Sequence, residues 1–155
     1  RSTGAWRQPG GRPRAPWGAM RDEPAQGAPA GGGVVKPAAE AALGDKAGVR
    51  RFASMSLPLD EALVEVALDL SGRPYLHYEV EPGSEPLGNP PFDPQLAEEF
   101  WRAFATSALI TLHLDLKRGK NSHHILEASF KAVARALRDA VRVEGTGVPS
   151  TKGTL

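Results

Sequence analysis

Residues 110–141, which read ITLHLDLKRGKNSHHILEASFKAVARALRDAV, decide the fold of this chain. In the first part, apolar and polar residues alternate as they do in a half-buried strand, with Thr111, His113 and Asp115 on the polar side. After a polar loop, apolar residues recur with helical spacing and predict a long amphipathic helix that begins near His123. The predicted core stripe of this helix is Leu126, Phe130, Val133, Leu137 and Val141. A strand and a helix of this kind bury their apolar surfaces by packing the helix on one face of a sheet.

The preceding segments supply the other elements of that sheet and its helices. Strands are predicted at 52–57, 64–70 and 74–81, and helices at 37–43, which Gly44 ends, and at 93–107. The short connection at Ser71-Gly72 predicts that the second and third strands form an antiparallel hairpin. The order β-β-β-α-β-α predicts an α+β fold, a two-layer sandwich with helices on one face of a mostly antiparallel sheet.

Composition divides the chain in two. Residues 1–33 hold thirteen Gly or Pro and no Leu, Ile, Val or Phe, so they predict a disordered tail before a domain at 34–155. Residues 1–36 carry six Lys or Arg against two Asp or Glu, which leaves a nucleic-acid-binding arm as a minor alternative. The formal net charge of the whole chain is only +1, so we expect no nucleic-acid partner.

Two further features of the composition bound the class of protein. The chain has no cysteine, which excludes disulfides and thiolate metal sites and fits a cytoplasmic location. No apolar run reaches the length of about 18 residues that a membrane span needs, so we expect no membrane partner.

Histidines and a carboxylate cluster where the last helix begins. His123, His124 and Glu127 fall within one turn, where residues three and four apart share a face. Imidazole nitrogen and carboxylate oxygen suit zinc, manganese, iron or nickel. The alternative is a solvated helix N-terminus that carries histidines without a metal. His113 lies one short loop upstream, whereas His77 is interpreted as a surface or cross-strand residue.

Six ordered stretches resemble one enzyme family. They are 43–46 with 51–52, 58–63, 69–76, 110–113, 121–136 with its His-His-x-x-Glu-Ala run, and 149–153. Together they resemble the C-terminal half of imidazoleglycerol-phosphate dehydratase. The resemblance implies one repeat of a fold similar to domain 2 of ribosomal protein S5, and a homo-oligomer that forms a 24-subunit cage.

The resemblance also implies a chemistry and a set of site residues. The activity would be that of a lyase of histidine biosynthesis, which dehydrates imidazole glycerol phosphate to imidazole acetol phosphate with two manganese ions as Lewis acids. Glu127 and Lys131 would be catalytic. The implied metal ligands are His113, His123, His124 and Glu127, and the implied binding residues for the small-molecule phosphate substrate are Arg51, Arg73, Lys131, Ser150 and Lys152.

The resemblance extends over only one half of the family. No Leu-Asp-His-Met and no Asp-His-His-Thr-x-Glu-Asp segment occurs in the 155 residues. We therefore expect a truncated lyase with impaired activity, and the alternative is a non-catalytic α+β fragment with weak or no metal binding.

Overall fold

The computed structural model describes residues 43–44, 46–147 and 149. Within them lie four strands, β1 (Phe52–Leu59), β2 (Ala62–Asp69), β3 (Tyr75–Glu79) and β4 (Thr111–Arg118). Two long helices accompany them, α1 (Leu96–Ala108) and α2 (Ser122–Ala140). The strands form one sheet in the order β1-β2-β4-β3. The predicted α+β sandwich is therefore confirmed.

The predicted hairpin between the second and third strands is wrong. β2 pairs antiparallel with β1 and with β4, and β4 lies between β2 and β3. β3 pairs with β4 in parallel, because α1 carries the chain back to the same end of the sheet before β4 begins. The true hairpin joins β1 and β2 through Asp60 and Glu61. Pro58 does not stop β1, since an edge strand tolerates a residue without a backbone N–H.

Both helices pack on one face of the sheet. Leu112 and Leu114 are fully buried against them, while the alternate residues Thr111, His113 and Asp115 point to the opposite face, which we call the open face. Trp101 and Ala105 of α1 belong to the same core. α1 begins two residues later than Asp93-Pro94 would place it, although the Asp93 carboxylate accepts a hydrogen bond from the N–H of Gln95 at 2.9 Å.

The core stripe of α2 differs from the predicted one. Small residues make its centre, and the buried set is Ile125, Leu126, Ala128, Ser129, Ala132, Val133, Ala136 and Ala140. Phe130, predicted as core, is exposed and stacks at the edge on Phe100 and Trp101 of α1. The prediction chose the large apolar residues of the helix. The face of α2 that packs against β1 and β2 instead carries mainly alanine and serine, because only small side chains allow the helix to approach the sheet closely.

The segment after α2 returns to the start of the domain. Gly48 accepts hydrogen bonds from the N–H groups of Glu144 and Gly145 at 2.7 and 3.1 Å, and its own N–H donates to Gly147 O at 2.7 Å. Val49 and Val143 form an isolated antiparallel β-bridge. These bonds hold the 143–147 segment against the residues that lead into β1.

Two sequence predictions fall largely outside the described residues. The tail at 1–33 lies there entirely, as does the predicted helix up to residue 42. The end of that helix is described, with Leu43 helical and Gly44 in a turn at φ 54°. In the part of the chain that the structure describes, no helix is long and apolar enough to cross a membrane.

Candidate active site

The N-terminus of α2 is fixed by a side-chain cap. Asn121 has extended backbone geometry, and its Oδ1 accepts hydrogen bonds from the N–H groups of His123 at 2.9 Å and His124 at 3.2 Å. An Asn in this position satisfies N–H groups that have no partner inside the helix. The cap therefore sets the backbone from which both histidine side chains project.

Glu61, in the β1–β2 turn, orients one of these histidines. Its Oε2 lies 2.8 Å from Nδ1 of His124, and its Oε1 accepts from the N–H of Asn121 at 2.8 Å. The hydrogen bond with His124 is the main reason that the pKa of Glu61 falls to about 2, and it also raises the pKa of His124. Nε2 of His124 lies 3.5 Å from Oδ2 of Asp60. Sequence reasoning missed Glu61, because only the fold places the hairpin turn beside the helix.

The exposed side of α2 carries a ladder of charged groups. Glu127 lies between His123 and Lys131, with its Oε2 3.1 Å from Nε2 of His123 and its Oε1 2.7 Å from Nζ of Lys131. Lys131 first and His123 second lower the pKa of Glu127, which is therefore a carboxylate at neutral pH. Glu127 thus contacts His123, as the helical spacing predicts, whereas the carboxylates beside His124 are those of Glu61 and Asp60.

His113 lies elsewhere, on the open face of the sheet. Its ring packs against Tyr75 and His77, with ring centroids 5.4 and 5.3 Å away. Among the described residues, no hydrogen bond, ion pair or ring contact joins His113 to His123, His124 or Glu127. Nor does any group of three or more His, Asp or Glu converge there as a ready metal site.

Two of the predicted phosphate-binding residues, Arg51 and Arg73, lie at the opposite end of the sheet, whereas Lys131 lies beside Glu127 on α2. Arg51 makes a two-pronged ion pair with Asp69, at 2.7 and 3.2 Å, and its Nη1 donates to Pro149 O at 2.8 Å. Arg73 is exposed in the turn after β2, where its N–H donates to Ser71 Oγ at 3.2 Å. Ser150 and Lys152 lie outside the described residues, although Pro149 directly precedes Ser150.

The candidate residues of one chain therefore form two separate clusters. The first turn of α2 carries the two histidines, and Ala140 in its last turn accepts a hydrogen bond from the N–H of Arg51. Because an α-helix rises about 1.5 Å per residue, His124 and Ala140 are roughly 24 Å apart along the helix axis. A cavity of about 510 Å³ on the open face connects the surroundings of Asp69, Thr111 and His113. We call the two clusters the histidine end and the arginine end, and His113 belongs to the arginine end.

These features define the class of the protein, which is an α+β sandwich with a His-His-x-x-Glu helix turn at one end of its sheet and Arg51 and Arg73 at the other. Residues 32–137 match the family model for imidazoleglycerol-phosphate dehydratase. Since the match extends over more than half of the chain, the chain belongs to the imidazoleglycerol-phosphate dehydratase family.

Individual relatives give the same result. The chain is 54% identical over 121 residues to the imidazoleglycerol-phosphate dehydratase of Ruegeria pomeroyi, a match that covers 76% of this chain and 61% of the relative. It is 55% identical to that of Acidothermus cellulolyticus over 115 residues, which are 74% of this chain and 55% of the relative. The chain thus spans about three-fifths of the length of the curated relatives it matches.

Solved structures are similar as well. The crystal structure of the Staphylococcus aureus imidazoleglycerol-phosphate dehydratase has a TM-score of 0.66 at 42% identity, over 71% of this chain and 63% of that chain. The Pyrococcus furiosus protein, solved in complex with (S)-C348, has a TM-score of 0.65 at 35% identity, over 79% of this chain and 68% of that chain. These matches support the fold that the resemblance implied.

Proposed function

We propose that this chain contributes to a lyase that dehydrates imidazole glycerol phosphate to imidazole acetol phosphate in histidine biosynthesis. The observation that carries the proposal is the histidine end, where His123, His124 and Glu127 share one turn of a capped helix and Glu61 holds His124. Membership of the family supports the choice of reaction, and the described geometry supports the choice of residues.

The residues of the histidine end fit a manganese ion chemically. Two imidazoles and a carboxylate are donors that manganese accepts. The bond from Nδ1 of His124 to Glu61 would leave Nε2, which lies 3.5 Å from the Asp60 carboxylate, as the ligand nitrogen, and a carboxylate on the second ring nitrogen is the usual support of a metal-binding histidine. When bound, manganese ions would act as Lewis acids on the substrate imidazole. His113 would contribute its ligand from the arginine end.

The chain's own residues would bind and position the phosphate. Arg73 presents an exposed planar fork, which suits a phosphate dianion, and Lys131 offers a flexible point charge. Arg51 is committed to Asp69 and to Pro149 O, so in this proposal it positions the segment that carries Ser150 and Lys152. Half-buried bidentate pairs of this kind are more specific in geometry than isolated surface charges.

Proton movement falls to Glu127 and Lys131 in this proposal. Dehydration removes a carbon-bound proton and the hydroxyl group of the neighbouring carbon as water, and the resulting enol becomes the ketone. Glu127 is ionised at neutral pH, which both a metal ligand and a proton acceptor require. Lys131, at 2.7 Å from Glu127, holds that carboxylate and carries positive charge toward the substrate.

We infer that a complete site needs more than one chain. The histidine end and the arginine end are too far apart to meet on one substrate, so the histidine end of one subunit would face the arginine end of another, within a homo-oligomeric cage. The remaining portion of the family sequence would supply further ligands. The competing function is a non-catalytic fragment, which the lack of a converged three-ligand group among the described residues favours.

Growth of a histidine auxotroph that lacks its dehydratase separates these two functions. The chain would be expressed alone and together with the N-terminal portion of the Ruegeria pomeroyi relative. The proposal expects growth without histidine in at least the combined strain, and loss of that growth with His124→Ala. Absence of growth in both strains, with the chain present as folded protein, would favour the non-catalytic alternative.

A further inference from the structure

An uncharged patch lies on the surface of the helix layer, along the line where α1 and α2 meet. Phe100 is 49% exposed and Phe130 is 37% exposed, and their ring centroids are 5.3 Å apart. Leu96, one turn before Phe100, is 53% exposed, and the exposed residues Ala103 and Ala134 continue the patch along each helix. We call these five residues the aromatic seam. Contiguous apolar surface of this kind marks sites of interaction, so the seam indicates a binding surface.

The rings of the seam lie on a different flank of α2 from the basic side chains of that helix. Phe130 faces α1, where its ring contacts Phe100 at 5.3 Å and Trp101 at 4.6 Å between centroids. Lys131 and Arg138 lie beyond Ala134, on the side of α2 where all three line a cavity with residues 55–59 of β1. A partner on the rings therefore leaves these two cations at the edge of the contact.

The charges of the two helices show which partner fits the seam. α1 carries two Glu and one Arg and is net negative, whereas α2 carries three Lys or Arg against one Glu and one Asp and is net positive. A twofold axis parallel to the helices would place α1 of one copy on α2 of its partner at two equivalent contacts. That arrangement joins opposite net charges, and it brings Phe100 of each copy onto Phe130 of the other. Pairing α1 with α1 would instead bring like charges together.

We propose that the aromatic seam is a dimer interface, at which a second copy of this chain packs with its α2 against α1. The 13 and 19 residues of the two helices rise about 20 and 28 Å, and each helix is about 10 Å wide, so their joint face measures roughly 500 Å². A standard interface uses about 800 Å² of each partner, so we expect a weak dimer that dissociates in the micromolar range. This contact goes beyond the proposed function, because it requires no metal, substrate or further portion of the family sequence.

Sedimentation of the full chain in EDTA, from about 1 to about 300 µM, measures this equilibrium without any metal-dependent assembly. The proposal expects twice the chain mass at the upper concentrations. Phe100→Ser should weaken dimerisation about tenfold or more, as loss of a central aromatic residue does at other interfaces. Phe52→Ser is the matched control, because Phe52 is 55% exposed but lines the cavity on the open face with Asp69 and Thr111. It should change the dissociation constant less than twofold. Circular dichroism checks that both variants retain their fold.

Disulfide cross-linking tests the arrangement even if Phe100→Ser does not fold. The chain has no cysteine, so Ala103→Cys on α1 and Ala134→Cys on α2 each introduce a single thiol. Under a mild oxidant, a mixture of the two variants, one of them isotope-labelled, should form the mixed disulfide several times faster than either variant forms a disulfide with itself. A chain that stays monomeric at the highest concentration, self-association that Phe100→Ser leaves unchanged, or equal rates for all three disulfides would overturn the proposal. Failure of dehydration would leave these results unaffected, because no substrate takes part.

Discussion

Gly48 offers the sharpest test of how the arginine end is held together. Its φ is +72°, and a Cβ added there would lie 2.0 Å from the carbonyl oxygen of Gly145. Because that contact is with backbone, Gly48→Ala must displace the 143–147 segment and weaken the three hydrogen bonds that join it to Gly48. We expect the segment that leads to Pro149 and Arg51 to lose its position.

The cost of Gly48→Ala has two parts. A left-handed backbone costs a residue with a Cβ about 1–2 kcal/mol, of which roughly 0.4–1 kcal/mol is offset by the stiffer unfolded chain. Weakening three hydrogen bonds at about 0.5–1.5 kcal/mol each adds a larger amount. The total expected loss is about 3 kcal/mol in the free energy of unfolding.

Gly44→Ala is the matched control for this substitution. Gly44 also has a positive φ, +54°, but a Cβ there would meet nothing within 4 Å. Only the backbone part of the cost applies, so we expect a loss of about 1 kcal/mol or less. Urea unfolding followed by circular dichroism measures both variants. Equal losses in the two variants, or a smaller loss for Gly48→Ala, would refute the reasoning.

Three further perturbations have definite expected outcomes. Asn121→Ala should lower the free energy of unfolding by about 1 kcal/mol in urea denaturation, because the helix loses its cap. Burial raises the pKa of Tyr78 to about 12, so the phenol absorbance should titrate near pH 12 in a Tyr75→Phe background. The stability that comes from this raised pKa should be lost as the pH rises above 10. A titration midpoint near pH 10 would contradict this prediction. Glu61→Gln should lower the pKa of His124 in an NMR titration. In the unsubstituted protein, the stability that comes from the raised pKa of His124 is present below pH 6.5 and is lost as the pH rises. The stability that comes from the lowered pKa of Glu61 is present above pH 4.5 and is lost as the pH falls toward 2. An unchanged His124 pKa would show that Glu61 does not hold this ring.

Local patterns predicted most of the elements and the helix turn that carries the candidate ligands. The alternation through Leu112 and Leu114 and the helical spacing that begins near His123 act over a few residues, so sequence alone was sufficient for them. Strand pairing was not local, since nothing in Ser71-Gly72 shows that β4 inserts between β2 and β3. The predicted hairpin failed for that reason.

Side-chain size misled the prediction of the helix core. Phe130 has the greater apolar surface, but Ala128 and Ala132 occupy the contact with the sheet, where only small side chains fit. A prediction that gives more weight to large apolar side chains therefore places the buried face of α2 too close to its edge.

The site was predictable as a set of residue types but not as an arrangement. The helical spacing of His123 and Glu127 was sufficient to place them together, whereas the contact between Glu61 and His124 spans 63 residues along the chain. Alternation predicts that His113 lies on the polar side of its strand, but its neighbours Tyr75 and His77 follow from the pairing of β3 with β4. The roles of Ser150 and Lys152 stay predictions.

The central claim is that this chain provides the histidine end of a dehydratase site. The most direct measurement is manganese-dependent conversion of imidazole glycerol phosphate to imidazole acetol phosphate by the purified chain mixed with the N-terminal portion of the Ruegeria pomeroyi relative. The account predicts turnover that requires both proteins and falls at least about tenfold with His124→Ala, since removal of even a group that supports a metal ligand typically costs about 10–100-fold. No turnover from a stable, manganese-loaded complex of the two, or turnover unchanged by His124→Ala, would contradict it.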